Sequence, residues 1–574
     1  MRTRRHQLLP LLAIGIIGWL VRMGVAARGW FYWDDFILMA QAPETALMAP
    51  HDGHLMPAAR GIMRLVAGAG DLNWAAALCV LGLLNAVAIA AVAFLAHRLR
   101  GGWPVLLAFA LYCLSPLNLP ATSWLSAAIN LLPLEGAMAT ATACVLGGAR
   151  VVRARSNDRP RTHVAGWGAA LCVLVGCLFS ERMLLALPFL AFCWFLLGCR
   201  RSIFPSLGVA VVWAGIYILA VDLPRAESLG LAGTLRHGFL QGFLLAAAGG
   251  PLGWDRWHPG PPFATPVTAM VVVGVFVAAA IVVLSARNRR GLAGFLTCAA
   301  YVAACLLAVS LGRGGQDTAF EIVQTLRHFS EVSVLLVIAT ALAFRGLDST
   351  TWPGRILFAL GAVIGALSIA STLSYSASWA EQPAREYFRT LNGQLAARET
   401  PQLDQEIDTQ VLLPVAYPDN RLSKILPDAP VAAWTEHPGI VGGDGRIRAA
   451  DLHPARSTIQ AAAERDTKPS SGTGAAGIEQ CGQEIGAGQE QTLRLDGPLL
   501  EREWVVELNY LAGAEATAGI SLDGERTEVP LRAGLNQVFV QVTGGGTELT
   551  VALPEAASPI CVQTSRVGTL WPAG

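Results

Sequence analysis

Of the 574 residues, 53% are hydrophobic and only 14% are charged, where an average soluble domain is about a quarter charged. A mean hydropathy of +0.47 suits most of the chain to lipid, and a net charge of +1 argues against a nucleic-acid partner. The basic residues are nearly all Arg, with Lys424 and Lys468 the only lysines.

The chain opens on the basic Met1-Arg2-Thr3-Arg4-Arg5-His6, and residues 8–27 form an apolar run long enough to span a bilayer. A cleaved signal peptide ending at Val25-Ala26-Ala27 is the alternative. Further apolar runs recur at 74–96, 103–116, 126–149, 164–179, 183–199, 203–221, 265–285, 291–311, 331–344 and 356–375, predicting about eleven spans in all. Charge supplies an independent parity. The loops at 97–100, 150–161, 200–201, 287–290 and 345–355 are Arg-rich. Those at 28–73, 117–125, 180–182, 222–264 and 312–330 mix acids, His and scattered Arg. The positive-inside rule then predicts a cytoplasmic N-terminus and an external C-terminus. The short, Gly-rich run 235–250 suits an interfacial or re-entrant helix; as a span it would reverse the C-terminus.

From about residue 377 the composition changes. Ser378–Arg398 reads as an amphipathic helix with Trp379, Tyr387, Phe388 and Leu391 on its apolar face. Val411-Leu412-Leu413 reads as a strand, followed by a turn at Tyr417-Pro418-Asp419-Asn420. The Ser/Gly/Thr-rich stretch 466–477 reads as a linker. Beyond it, alternation at Trp504–Tyr510, Val538–Val542 and Leu549–Leu553 predicts short strands separated by Asp523-Gly524, Gly534 and Gly544-Gly545-Gly546. That pattern suggests an antiparallel β-sandwich. The expected division is a membrane domain over 1–376, an external mixed α/β region over 377–475 and the sandwich over 476–574.

Nine of the eleven cysteines lie in or beside apolar runs, where a thiol acts as a small hydrophobe. Only Cys481 and Cys561 fall in the polar C-terminal part, where they bracket the β region. A disulfide between them would close a long loop and contribute about 4–5 kcal/mol on chain-entropy grounds. No CxxC or Cys/His spacing indicates a metal site.

The candidate chemistry falls in the predicted outer loops. Asp34 and Asp35 stand in Trp30-Phe31-Tyr32-Trp33-Asp34-Asp35-Phe36, where aromatic burial would raise the pKa of at least one and suit it to act as a base. A solvated loop start or a helix cap is the competing reading. His51 and His54 follow in His51-Asp52-Gly53-His54, a spacing that suits phosphate binding or support of an aspartate as well as it suits a metal. Glu181 and Arg182 sit at a tight outer turn, either neutralising each other or facing the same cavity. Arg313, Arg327 and His328 flank the last long outer loop; guanidinium is the natural clamp for a phosphate at a membrane surface, and interfacial snorkelling is its rival. Arg22, Asn130 and Glu135 lie within spans, where function and helix–helix hydrogen bonding compete.

Taken together, these motifs resemble the GT-C superfamily of polytopic glycosyltransferases, in particular the protein-mannosyltransferase and aminoarabinose-transferase types. Trp33-Asp34-Asp35 is similar to the acidic pair of the first external loop. His54-Leu55-Met56-Pro57 stands where those proteins have a His-Pro-Pro-Leu-like segment. Phe179-Ser180-Glu181-Arg182 is similar to a Lys-Glu motif at an outer turn, matching at Glu181. Leu326-Arg327-His328-Phe329 resembles an Arg-Tyr segment near the donor phosphate. The C-terminal part resembles exported, carbohydrate-binding-like domains of actinobacterial cell-envelope glycosyltransferases.

The resemblance implies a multi-pass bacterial plasma-membrane enzyme that transfers a hexosyl or pentosyl group, with inversion, from a polyprenyl-phosphate sugar. The acceptor would be a cell-envelope glycan, lipid or protein on the outer face. Asp34 or Asp35 would be the base and Arg327 would stabilise the departing phosphate, with His328 and Arg313 beside it. His51, His54, Glu181 and Arg182 would bind substrate. A divalent cation at the carboxylates stays open. Competing classes are a flippase or transporter for polyprenyl-linked precursors and a non-enzymatic glycan-binding assembly protein.

Overall fold

The structure, a computed structural model, describes residues 2–154, 159–222, 230–312, 319–459 and 482–573, with side chains omitted for 2–7 and for 149–163. It divides into two compact units, Met1–Gln382 and Pro383–Gly574.

The first unit is helical. Its elements are α1 (Arg2–Ala26), α2 (Asp34–Gln41), α3 (Pro57–Ala67), α4 (Trp74–Leu99), α5 (Trp103–Leu114), α6 (Leu119–Ser123), α7 (Leu125–Ala154) and α8 (Arg159–Phe179). There follow α9 (Arg182–Leu196), α10 (Ile203–Ala220), α11 (Leu231–Leu235), α12 (Leu244–Ala247), α13 (Thr268–Ser285), α14 (Arg289–Gly312), α15 (Val332–Phe344) and α16 (Trp352–Ala380). Seven of the described helices are long and apolar enough to cross a membrane, and an eighth if α5 and the segment after it, bent by 42°, count as one span. Val164–Phe179, Arg182–Leu196 and Val332–Phe344 are shorter apolar helices at the remaining predicted runs. The chain is therefore a multi-pass helical membrane protein. Outward-facing Phe204, Val211, Leu219 and Phe276 are exposed, as lipid contact requires.

Inside the bundle, α1 packs against α4 and α5 and sends Arg22 into the interior, so this segment is an integral member of the helical unit. Small residues let other helices approach closely: a Cβ on Gly291 would come within 2.3 Å of the Ala343 Cα. Residues 231–247 form neither a span nor one regular helix. A π-helical stretch, Arg236–Phe243, joins α11 to α12 and packs on the 3₁₀ turn Phe320–Thr325.

In the second unit, α17 (Pro383–Leu395) buries Ala384, Tyr387, Phe388, Leu391 and Leu395. The amphipathic helix thus begins later than predicted. Residues 378–380 continue α16 instead, and Pro383, which supplies no N–H, opens the new helix after a break at Glu381-Gln382. Val411-Leu412-Leu413 is a turn and not a strand: Val411 and Leu412 donate their N–H groups to Asp408 O and bury their side chains.

The sheet order is Thr527–Leu531, Ala516–Ser521, Gly534–Ala552, Glu490–Ala512, Arg566–Pro572, Ile447–Ser457, Gly439–Val441. Val538–Val542 and Leu549–Leu553, expected as separate strands, belong largely to one: Gly534–Ala552 pairs with Glu490–Ala512 on both sides of Gly544–Gly546, where the register shifts. The three glycines therefore lie inside a continuous strand, not in a turn, with Gly544 and Gly546 at positive φ; the extra residues of the irregularity belong to the partner strand, between Arg494 and Arg502. Apolar side chains from both halves of each long strand share one core, including Leu493, Leu508, Val540 and Val551. Cys561 is disulfide-bonded and every other described cysteine is a free thiol. Cys481 and the linker 466–477 lie outside the described residues.

Gly291→Ala is expected to separate α14 from α15 and destabilise the protein by about 1–3 kcal/mol, as overpacked sites do. Gly365→Ala, with nothing within 4 Å of the added atom, serves as control. Thermal unfolding of both variants in detergent checks this.

Candidate functional site

The loop after α1 is built around Asp35. Its N–H donates to the Tyr32 carbonyl at 2.9 Å, and its Oδ2 accepts the Tyr32 N–H at 3.0 Å. Its Oδ1 accepts the Ser126 N–H at 2.8 Å and is also bonded by the Ser126 hydroxyl. Since Ser126 lies in the first turn of α7, the carboxylate binds a helix N-terminus, where unpaired N–H groups favour an anion. Asp35 is fully buried. Burial pushes its pKa up to about 7, with the bonds from Ser126 and Tyr32 opposing the rise.

This arrangement forces Trp33 to φ 42°, an uncommon conformation for a bulky residue. The turn leaves Asp34 half-exposed at the start of α2, and no described residue hydrogen-bonds its carboxylate. The two aspartates are therefore not equivalent.

His51 and His54 pair through both backbone bonds, 2.9 and 2.8 Å, across a two-residue turn. Asp52 and Gly53 stand at φ 47° and 78°, the left-handed pair that an Asp-Gly turn accommodates. Burial lowers the His51 pKa, while the nearby Asp34 charge opposes the shift. A hydrogen bond of 2.7 Å joins His54 Nδ1 to Glu181 Oε1, and the Tyr217 hydroxyl donates to Gly53 O at 2.8 Å. Burial would raise the Glu181 pKa, but the pairing with His54 outweighs it and leaves it lowered.

Arg182 points elsewhere. It donates to the Arg327 carbonyl at 2.8 Å and to that of His328, and pairs with buried Glu331 at 2.7 Å. Glu181 and Arg182 thus do not neutralise each other; each ties down a different loop. The guanidinium of Arg327 lies over the Trp124 ring, 4.4 Å from its centroid, and Trp124 is edge-on to Tyr32 at 5.0 Å. Arg313 lies outside the described residues.

The fold thus gathers Asp34, Asp35, His51, His54, Glu181, Arg182, Arg327 and His328 at the helix ends around Tyr32 and Trp124. Three further members were not foreseen. Ser126 and Trp124 open α7, and Arg256 stands over Tyr32 and Trp379, 5.3 and 5.5 Å from their ring centroids. The signal for Arg256 was present in Trp254-Asp255-Arg256-Trp257, charges among aromatics like the Asp34 segment. Its guanidinium is held by the carbonyls of Gly260, Ser378 and Glu381.

Glu135, deeper in α7, accepts from the Tyr112 hydroxyl at 2.7 Å, and Arg22 bonds the carbonyls of Tyr112 and Cys113. Helix–helix bonding therefore accounts for one Glu135 oxygen; the other is buried with no hydrogen-bond partner among the described residues. Asn130 bonds back to the Ser126 carbonyl. Among the described residues no group of three or more His, Cys, Asp or Glu is placed to hold a metal. An apolar cavity of about 270 Å³ opens among α5, α12–α16 and the π-helical stretch, and Tyr112 and Ser333 are among its few polar linings.

No protein-family model and no curated protein sequence matches the chain. Solved structures similar to it include the arabinofuranosyltransferase AftD from Mycobacteria, at 12% identity and TM-score 0.40, over 98% of this chain and 60% of that one. The crystal structure of ArnT from Cupriavidus metallidurans bound to undecaprenyl phosphate is similar over 71% of this chain and 84% of that one, at 12% identity and TM-score 0.41. Both are glycosyltransferases of the GT-C superfamily. The chain spans about 60% of the length of AftD, and no residue role is carried over from either structure.

The raised pKa of Asp35 sets a sign. Unfolded, the carboxyl ionises near 3.8; folded, near 7. Between these values the unfolded chain releases a proton that the folded chain keeps, so stability falls as pH rises through the window and levels off above it. Asp35→Asn is expected to remove that slope. Thermal unfolding of both proteins between about pH 4 and 8 checks this, and parallel curves would refute it.

Proposed function

We propose that this protein is a membrane glycosyltransferase that moves a sugar from a polyprenyl-phosphate donor to an acceptor hydroxyl on the outer face of the membrane. The observation that carries the reading is the convergence of one available carboxylate, Asp34, and one ring-stacked guanidinium, Arg327, at the same end of a bundle that also holds an apolar cavity. A base for the acceptor, a cation for the leaving phosphate and room for isoprenoid are what such a transfer needs.

In this mechanism Asp34 takes the proton of the acceptor hydroxyl as its oxygen attacks the anomeric carbon. The bond from that carbon to the phosphate oxygen breaks on the opposite side, the configuration inverts, and polyprenyl phosphate departs. Arg327 stabilises the charge that grows on the phosphate, where a fixed cation is most effective. His51, disfavoured as a cation by burial, borders Asp34 without neutralising it. Asp35 is committed to Tyr32 and Ser126 and serves to hold Asp34 in place. The sheet-rich second unit is read as extracytoplasmic and glycan-binding, with an outward C-terminus and eleven spans. The acceptor class is a cell-envelope glycan, lipid or protein.

The test is transfer by the purified full chain in detergent, with radiolabelled polyprenyl-phosphate hexoses and pentoses and a short acceptor glycan. Asp34→Asn is expected to lower kcat by about 10²–10⁴-fold, the usual worth of a general base, without loss of folded protein. Wild-type rates in that variant would sink the assignment. Lipid movement across vesicles with no new glycosidic bond would favour a flippase instead.

A further inference from the structure

The turn between α8 and α9 carries an arginine that the transfer mechanism does not use. Arg182 reaches across to the segment before α15, donating to the backbone carbonyls of Arg327 and His328 and pairing with Glu331 Oε1 at 2.7 Å. Glu331 is fully buried and also accepts from the Tyr301 hydroxyl at 2.5 Å. The segment held in this way needs holding. Leu326, immediately before Arg327, sits at φ 62°, a left-handed conformation that a leucine adopts only when its surroundings impose it.

We infer that Arg182 is a positioning residue: it fixes the Arg327–His328 backbone so that the Arg327 guanidinium is presented over Trp124 to the donor phosphate. The inference rests on the reading of Arg327 as phosphate ligand. Two observations favour positioning over direct contact. Arg182 spends its donors on two carbonyls and a carboxylate, a set that the planar guanidinium fork reaches at once and a lysine ammonium does not. Turning Arg182 toward a ligand would also strand the buried Glu331 carboxylate, which is strongly unfavourable. Glu181 does the corresponding work on the other side of the turn, holding the His51–His54 hairpin through His54. One two-residue turn thus sets two loops of the site.

The experiment uses the full-length protein in detergent and two probes, a polyprenyl phosphate and the matching neutral polyprenol. The ratio of their Kd values isolates phosphate recognition from binding of the isoprenoid. Arg182→Lys and Glu331→Gln are each expected to reduce the phosphate preference about tenfold while the polyprenol Kd holds within about twofold, since a small misplacement of a charged group is costly. Arg327→Gln is expected to reduce it at least as far. Adding Arg182→Lys to Arg327→Gln should change nothing more, because a residue acting through another has no effect once that other is gone.

Multiplied losses in the double variant, or an unchanged ratio in both Arg182→Lys and Glu331→Gln, would overturn the inference. Equal loss of polyprenol and polyprenyl-phosphate binding would also overturn it, by marking a role in the fold alone. A wild-type ratio near one, or an unaltered ratio in Arg327→Gln, would overturn the reading of Arg327 itself.

Discussion

The candidate site depends on a carboxylate, Asp35, that has no cation partner among the described residues. Asp35 is buried completely, and a bare carboxylate in such a place would be prohibitive. Three hydrogen bonds, from the Tyr32 N–H and from the N–H and hydroxyl of Ser126, make it tolerable. They also join residues 91 positions apart, the exit of α1 and the entry of α7. Trp124, next to Ser126, is thereby brought against Tyr32, and the Arg327 guanidinium has an aromatic face to rest on. Without Asp35, neither the Trp33 turn nor the Trp124 platform has a reason to be where it is.

Most of the helical architecture was legible from hydropathy, because lipid requires long apolar runs and leaves little freedom in how they are satisfied. The errors lie where one local signature has two meanings. Gly544–Gly546 looks like a turn, but glycines serve equally where a strand passes close to other backbone opposite a bulged partner, and only the pairing distinguishes the two. Val411 and Leu412 are apolar because the turn buries them, not because the chain extends there. Trp379 fits the apolar face of an amphipathic helix, yet it belongs to α16 and packs near Tyr32 and Tyr375.

The grouping of the described candidate residues was legible in the sequence, and the partner that each one takes was not. Asp34, Asp35, Glu181, Arg182 and Arg327 stand out in the sequence as charges in the predicted outer loops. Nothing in Asp34-Asp35 distinguishes one from the other, since the distinction comes from Ser126, far off in sequence. The same holds for Glu181-Arg182, whose members look like a neutralising pair until His54 and Glu331 supply separate partners. Arg256 carries the same local signal, a charge among aromatics, but its place over Tyr32 and Trp379 follows only from the fold.

In each adjacent pair one member ties down backbone: Asp35, which is fully buried, and Arg182, which is part-buried and paired with the fully buried Glu331. Asp35 grips Tyr32 and Ser126 beside Asp34; Arg182 grips the carbonyls of Arg327 and His328. Buried groups suit this work, because water does not compete for their hydrogen bonds and misplacement leaves them unsatisfied. Asp34 and Arg327, the groups proposed to act, are half-buried, as a ligand's access requires. In the proposed mechanism the charges that act are thus kept apart from the charges that place them, and the cost of burying a carboxylate falls on Asp35 and Glu331.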